Sequence, residues 1–481
     1  MKKISPKFRD FRAMHLLLPK FGKKNLETLV DQEFAENFSV LSDAEKSFFL
    51  EKLAQKNSLE QEIAEKNLEN ILSLENQISV VLYDMERTGV SFDVAKMEDI
   101  RTRIRADISA LESEIFEIIG ECININSPKQ LQVLFFQKLG IKPIKKNKTG
   151  FSVDTDVLEE IAKTHDVARL ILEYRRLSKL SSTYVDGLLK VVDLRDNRIH
   201  TNYDSLGTTT GRMSSSDPNL QNIPTGDGYA NEIKSCFVAS PGNILLVADY
   251  SQIELRILAF LSQDAGLLGA FTNDEDIHTR TAKFLFGDRE ISPAERRIAK
   301  SVNFGVIYGI TGFGLAKTLE CSPWEAQKYV DAFYEKYPGV KNFYDKLLED
   351  GRKNGFVETF FGRKRFVPAL NDANKTMRSI AEREAMNMPI QGTAADILKL
   401  AMIDISQKIS EKNLSGKMIL QVHDELVFDV PESEKEIFEQ LIRDSMERIF
   451  EIQNLRKIPE NMHEVKIIVD IGEGKNWTEA K

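Results

Sequence analysis

Cysteine is scarce in this sequence: Cys122, Cys236 and Cys321 are the only three in 481 residues. They lie far apart with no metal-binding spacing, and an odd number argues against a disulfide framework. A reducing cytosol is the setting this implies. No apolar run approaches the roughly eighteen residues that a membrane-spanning helix needs, so no membrane partner is expected. The start of the chain is basic (Lys2, Lys3, Lys7, Arg9, Arg12), but its one apolar run is short and ends at Pro19. It therefore lacks the hydrophobic segment of a secretory signal. Histidine is sparse too, six in all and scattered, which tells against chemistry built on clusters of metal-binding histidines. No repeat period and no low-complexity tract stands out.

What is present is an ordinary globular balance, 42% hydrophobic and 29% charged, in a chain long enough for two or three domains. The net charge of −9 weakly disfavours a nucleic-acid binder. Phosphate binding, however, depends on where charge sits. Residues 142–148, 296–300 and 363–365 are locally basic, so an acidic enzyme with one basic cleft stays open.

Residues 43–74 are rich in Glu, Lys and Leu, with apolar residues at helical spacing. The next segment, 78–90, ends in Thr88-Gly89-Val90, a helix stop. The pattern predicts a long amphipathic helix over 94–119. Asn126-Ser127-Pro128 reads as a cap with proline at the first helical position. A polar, lysine-rich loop is expected at 142–150, then more helix to about 192. Strand-like runs follow at 198–201 and 244–248. Helices return over 253–409, and strands again over 418–430 and 465–471. The layout is a helical module, a split sheet, and a second helical module between the sheet's halves.

Two acids stand at strand ends. Ile244-Leu245-Leu246-Val247-Ala248 is a buried-looking strand that runs into Asp249. A carboxylate there is costly unless paired or metal-bound, although capping the helix that begins near Gln252 explains it equally well. Farther on, His423-Asp424-Glu425 separates two apolar runs and reads as a hairpin tip. A solvated polar turn is the bland explanation, yet such turns usually carry Gly or Asn and this one has neither. Two acids on adjacent strand ends chelate hard cations such as Mg²⁺. Paired metals activate a hydroxyl and neutralise a leaving phosphate. The Tyr250 carbonyl is a candidate further ligand, whereas strand alternation can turn Glu425 away.

A helix is predicted from Ser292-Pro293-Ala294-Glu295, which matches a capping box with proline at the first helical position. Arg296, Lys300, Phe304 and Tyr308 follow four apart on one face. A solvated face explains the cations but not the aromatics, and a core stripe does not begin with two cations. The combination suits a nucleoside triphosphate: cations meet phosphates near the helix start. Phe304 offers a ring to a base, worth ~1–3 kcal/mol. Gly312-Phe313-Gly314 reads as a turn rather than a phosphate loop. Arg383, Asn387 and Gln391 are again four apart, on a helix that Pro389 should bend. They can read a minor groove or merely face water.

Five ordered stretches together resemble the family A DNA polymerases, the bacterial DNA polymerase I type. They are Thr210-Gly211-Arg212 through Gln221-Asn222-Ile223-Pro224, Asp249-Tyr250-Ser251-Gln252-Ile253-Glu254-Leu255-Arg256, the helix 296–309, residues 386–396, and Gln421-Val422-His423-Asp424-Glu425. Similarity runs from about residue 76 to the C-terminus. The resemblance implies an α+β, right-hand polymerase fold with an antiparallel-sheet palm, a helical thumb and helical fingers. It divides the chain into an N-terminal helical segment (1–75), a mainly helical thumb with the start of the palm (76–197), the first part of the palm (198–252), fingers and associated helices (253–411) and the second part of the palm (412–481).

The resemblance further implies a DNA-directed DNA polymerase that extends a primer 5′→3′ on a template and releases pyrophosphate. Its partners would be primer–template DNA and dNTPs, and it would act as a cytoplasmic monomer on nucleoid DNA. Asp249, Asp424 and the Tyr250 carbonyl would hold two Mg²⁺ ions, for which Mn²⁺ can substitute. Arg296 and Lys300 would meet the triphosphate, with Lys300 also the proton donor to pyrophosphate. Phe304 and Tyr308 would frame the nascent pair, and phenylalanine at 304 implies discrimination against dideoxynucleotides. Glu254 would lie near the sugar and discourage ribonucleotides. His278 would contact phosphate, and Gln252 belongs to the same substrate set. Arg212, Arg383, Asn387, Gln391, His423 and Asn222 would surround the primer–template end.

The sequence departs from the family's fuller pattern at its N-terminus. A 3′→5′ exonuclease domain is longer than the first 75 residues, and Asp31-Gln32-Glu33 lacks the buried strand such an acid motif needs. Residues 1–75 read as a remnant of that domain, and proofreading is expected to be absent. Three alternatives remain: a family A enzyme specialised for translesion synthesis or reverse transcription, an HD-type phosphohydrolase prompted by His423-Asp424, and a clamp that has lost activity.

Overall fold

The computed structural model describes Leu17, Lys52 and residues 58–147, 150–448 and 465–481. Most of the expected N-terminal segment, including Asp31-Gln32-Glu33, lies outside the described residues. Two compact units emerge. The first comprises Met1–Arg87, Tyr203–Ser215 and Val247–Ile471; the second comprises Thr88–Asn202, Ser216–Leu246 and Gly472–Lys481.

In the first unit, helix α1 (Glu69–Thr88) buries Ile71, Leu72, Leu74, Ile78, Val81, Leu82 and Met85, the three-and-four spacing of an amphipathic helix. It ends where expected, before Gly89, whose φ of 62° a side chain would resist. Strand β1 (Asn243–Tyr250), of which Val247–Tyr250 belong to this unit, buries its apolar run from Ile244 to Ala248. Helix α2 (Ile253–Ser262) follows after a two-residue turn. Helix α3 (Ile277–Phe286) starts at Asp276, whose carboxylate accepts from the N–H groups of His278 and Thr279. Helix α4 (Pro293–Ile307) has the predicted capping box: Ser292 and Glu295 each cap the other's backbone N–H. Helix α5 (Lys375–Glu411) runs unbroken through Pro389 and is almost wholly buried from Met388 to Ile405.

Strands β2 (Lys417–Val422) and β3 (Glu425–Pro431) form the expected hairpin, antiparallel, with Val422 opposite Glu425 and an irregularity between Met418 and Leu420. Strand β4 occupies Val469–Gly474, later than the apolar run at 465–471 suggested. The four-stranded sheet has the order β2-β3-β1-β4. Gly312-Phe313-Gly314 is not a turn. It opens the helix Gly312–Leu319, because Thr311 caps the Gly314 N–H.

In the second unit the helix Val94–Ile119 has the predicted bounds, capped by Asp93 and closed at Gly120 with φ 73°. Ser127 caps the helix Pro128–Gln132, with proline at its first position. Ile115, Leu131, Phe135, Leu158 and Ile171 lie in one core. The lysine-rich stretch forms a short hairpin, Lys146–Asn147 with Gly150–Phe151. Among the described residues no helix is long and apolar enough to cross a membrane.

Candidate active site

The sheet brings the two strand-end acids together. β1 and β3 are neighbours, and the Tyr250 N–H donates to the Asp424 carbonyl at 3.3 Å. Asp249 is therefore one residue from a backbone contact with Asp424, although the two are far apart in sequence. Both acids are half-buried. The Tyr250 ring is buried, and its hydroxyl donates to the Met446 carbonyl at 3.1 Å. This anchors the end of β1.

Both turns that carry the site are strained. Gln252, which links β1 to α2, has φ 55°, and His423, the first residue of the hairpin turn, has φ 54°. Left-handed backbone at a non-glycine residue costs about 1–3 kcal/mol and persists only where its surroundings fix it. At His423 those surroundings are visible. Gln421 Nε2 donates to the His423 carbonyl at 2.6 Å, and the Gln421 N–H donates to the Tyr203 hydroxyl at 3.0 Å. His423 itself is exposed, while Glu425 turns inward and is buried.

Burial pushes the Asp424 carboxyl above the usual carboxylate range, and Arg212 and His423 only partly oppose this. Arg212 Nη2 lies 3.6 Å from Asp424 Oδ1 and 2.6 Å from Glu254 Oε1. Glu254 is buried, and that burial raises its carboxyl despite Arg212. The Tyr308 hydroxyl donates to Glu254 Oε2 at 3.0 Å. Arg212, Glu254, Tyr308 and Asp424 thus form one polar cluster.

Along α4, Arg296 and Lys300 are exposed and Phe304 is half-buried. Arg296 Nε binds Asp276 Oδ2 at 2.7 Å, so an anion would have to share or displace that carboxylate. Lys300 Nζ stands 5.9 Å from the centre of the Phe304 ring. His278 is buried, and Asn303 Nδ2 donates to its Nδ1 at 3.0 Å. Burial first, then Arg296 and Lys300, bring the imidazole down to about 4 against the pull of Asp276. It is uncharged at neutral pH.

On α5, Arg383 is exposed while Asn387 and Gln391 are half-buried. Asn387 Oδ1 is buried and has no hydrogen-bond partner among the described residues, an orphan that a ligand donor would satisfy. Gly309, with φ 61°, lets the end of α4 approach this helix; a Cβ there would stand 3.3 Å from Arg383 Cα. Asn222 lies in the second unit, exposed at the end of the turn Leu220–Asn222.

Sequence reasoning missed Asp276, Asn303 and Tyr203: Asn303 stands within the helix motif 296–309 without being singled out, and the other two fall outside the five ordered stretches. It also misread residues 363–365. Arg363 is buried against Glu75 and Asp396, and Arg365 pairs with Glu384 at 2.6 Å. That basic run is internal pairing, not a phosphate patch. Among the described residues, one cluster of three acid or histidine ligands has metal-like spacing: Asp193, Asp196 and His200. Arg195 already neutralises Asp193, so we read it as a salt-bridged turn. Among the described residues, no histidine set suited to an HD-type centre accompanies His423.

Residues 94–479 match the sequence pattern of DNA polymerase family A. DNA polymerase I of Caldicellulosiruptor bescii is 44% identical over 411 residues, covering 85% of this chain and 47% of that protein. DNA polymerase I of Bacillus subtilis is 44% identical over 417 residues, covering 86% and 46%. The chain thus spans about half the length of the curated relatives it matches. A solved structure, the POL domain of Pol1 from M. smegmatis in complex with DNA primer-template and dNTP, superposes with a TM-score of 0.87 at 36% identity, covering 98% of this chain and 82% of that one. The α+β right-hand polymerase fold expected from the motifs is the fold observed. On the length of the match and the identity of these relatives, the chain belongs to DNA polymerase family A.

Proposed function

We propose that this chain is a DNA-directed DNA polymerase, extending a primer 5′→3′ on a DNA template with dNTPs and releasing pyrophosphate. The observation that carries the reading is the junction of Asp249 and Asp424 at adjoining strand ends, through the 3.3 Å bond from Tyr250 N–H to the Asp424 carbonyl. Family A membership and the solved relative in complex with DNA primer-template and dNTP support it. On this reading 76–197 is the thumb, 198–252 with 412–481 the palm, and 253–411 the fingers.

Family A polymerases use divalent metal ions. The residues present fit such ions: the donors are hard oxygens, and the Asp424 carboxyl is held above its ordinary range by burial that Arg212, 3.6 Å away, does not offset. Asp249, Asp424 and the Tyr250 carbonyl would hold two Mg²⁺ ions. When bound, such ions acidify the attacking hydroxyl and neutralise phosphate charge. Arg296 and Lys300 bind the triphosphate from the first turns of α4, where the helix dipole adds to their charge. Lys300 Nζ gives its proton to the leaving pyrophosphate. The neutral His278 ring offers phosphate an N–H rather than a charge. Phe304 stacks on the base, and Glu254, held by Arg212 and Tyr308, lies against the sugar with Gln252. Arg383, Asn387 and Gln391 take the minor groove of the primer–template end, with Arg212, His423 and Asn222 also on DNA.

Extension of a labelled primer with dNTPs and Mg²⁺, resolved on a gel, tests this. Wild type should lengthen the primer, and Asp249→Ala and Asp424→Ala should each abolish lengthening. Either variant extending at the wild-type rate would refute the assignment.

A further inference from the structure

The basic run at 363–365 leads instead into the interior of the first unit. Glu75 on α1, Arg363, and Asp396 and Lys399 on α5 are all buried, two charges of each sign. Arg363 Nη2 binds Glu75 Oε1 and lies 2.7 Å from Asp396 Oδ1. Lys399 Nζ lies 2.6 Å from Glu75 Oε1. Thr359 Oγ1 donates to Asp396 Oδ2 at 2.8 Å. A buried ion network is a poor means of gaining stability, because desolvation offsets most of the attraction between its members. What it does supply is a fixed geometry.

The network also reaches the loop that ends at Gly211. Lys399 Nζ donates to the Ser205 carbonyl at 2.7 Å. The Arg363 guanidinium fills the space over Gly211: a Cβ there would stand 2.6 Å from Nε, and Gly211 has φ 83°. A third contact comes from α5 itself, where a Cβ on Gly392 would stand 3.0 Å from the Thr210 carbonyl oxygen. Residues 205–211 are therefore held at both ends. The next residue is Arg212, which reaches Glu254 and Asp424.

We propose that Glu75, Arg363, Asp396 and Lys399 are positioning residues that act through Arg212, fixing the loop so that its guanidinium stays between Glu254 and Asp424 during nucleotide addition. The inference rests on the polymerase reading above. Charge-assisted bonds hold the loop more tightly than neutral ones. A displacement of about 1 Å near a reacting centre can cost on the order of a hundredfold in rate.

The test separates positioning from mere folding. Lys399→Met leaves two buried carboxylates, Glu75 and Asp396, sharing Arg363 alone, and should lower both the unfolding temperature and the maximal rate of single-nucleotide incorporation. Glu75→Leu combined with Lys399→Met removes the pair together, leaves Arg363 with Asp396, and should recover the unfolding temperature. Its rate should nonetheless stay on the order of tenfold or more below wild type, because the Ser205 carbonyl has lost its anchor. The loss should fall on kcat more than on the KM for dNTP. In an Arg212→Ala background the pair substitution should cause no further loss, since the coupled sites are not additive. Gly211→Ala, which pushes a methyl group into Arg363, should behave the same way. A pair variant or a folded Gly211→Ala with wild-type rate overturns the proposal, as does a loss undiminished in the Arg212→Ala background. A wild-type chain that fails to extend primer overturns the polymerase reading and this inference with it.

Discussion

Histidine 278 should remain uncharged until the pH falls to about 4, and this can be measured directly. The side chain is 3% exposed. Its Nδ1 accepts a hydrogen bond from Asn303, which leaves the single proton on Nε2, and its ring lies 5.8 Å from that of Phe304. Burial is the main cause of the low value; Arg296 and Lys300 add to it and Asp276 opposes it. In the unfolded chain the same imidazole titrates near 6.5. Between those values the unfolded state binds the proton and the folded state does not, so stability falls as pH falls through that window. At 1.36 kcal/mol per pH unit the full difference is roughly 3 kcal/mol, of which about 2 kcal/mol is lost between pH 7 and pH 5. The ring proton of His278, assigned by its disappearance in His278→Asn, should titrate by NMR with a midpoint near 4. His278→Asn should also lose less stability than wild type on acidification from pH 7 to pH 5. A midpoint at or above 6.5, or equal acid losses in the two proteins, would refute the reasoning.

Three further outcomes are expected. Ser292→Ala removes one half of the capping box on α4 and should cost about 1 kcal/mol, read as faster hydrogen exchange of the amides at residues 295–296; unchanged exchange would contradict the cap. Tyr308→Phe deletes the 3.0 Å bond to Glu254. A bond to a charged partner is worth about 1.5–3 kcal/mol when buried, so this half-exposed one should lower the unfolding temperature modestly, and no change would mean that the bond is not formed in solution. Thiol labelling followed by mass spectrometry should modify the exposed Cys122 first. Cys236, buried and with its thiol pushed up to about 12 by burial, should react only after denaturant is added.

Local geometry explains which parts of the molecule were legible in the sequence. The cap at Ser292, the stop at Gly89 and the helix Val94–Ile119 depend on residues within one turn of each other, and their spacing is written in the chain. The hairpin at 418–430 was legible for the same reason. Strand β4 was placed too early because 465–468 are as apolar as a strand, yet the chain there serves other partners: the Ile468 carbonyl accepts from Ser251 N–H and the Lys466 carbonyl from Arg256. Hydrophobicity signals burial, and burial alone does not make a strand.

The site divides along the same line. Arg296, Lys300, Phe304 and Tyr308 share a face because helices repeat, so their grouping needed no distant information. The pairing of Arg212 with Glu254, 42 residues apart, and of Glu75 with Arg363, 288 apart, needed the folded chain. Nothing in the run Arg363-Lys364-Arg365 distinguishes an arginine that faces phosphate from one that faces a buried carboxylate, because both need the same guanidinium fork. What separates them is desolvation. Arg296 and Lys300 stay accessible, Arg296 even while paired with Asp276, whereas Arg363 is sealed from water against two buried carboxylates. That contrast makes Arg363 a poor candidate for binding DNA. It also directs attention to Arg212, half-buried against Glu254 and Asp424, because the loop that carries it is held by packing remote from the site.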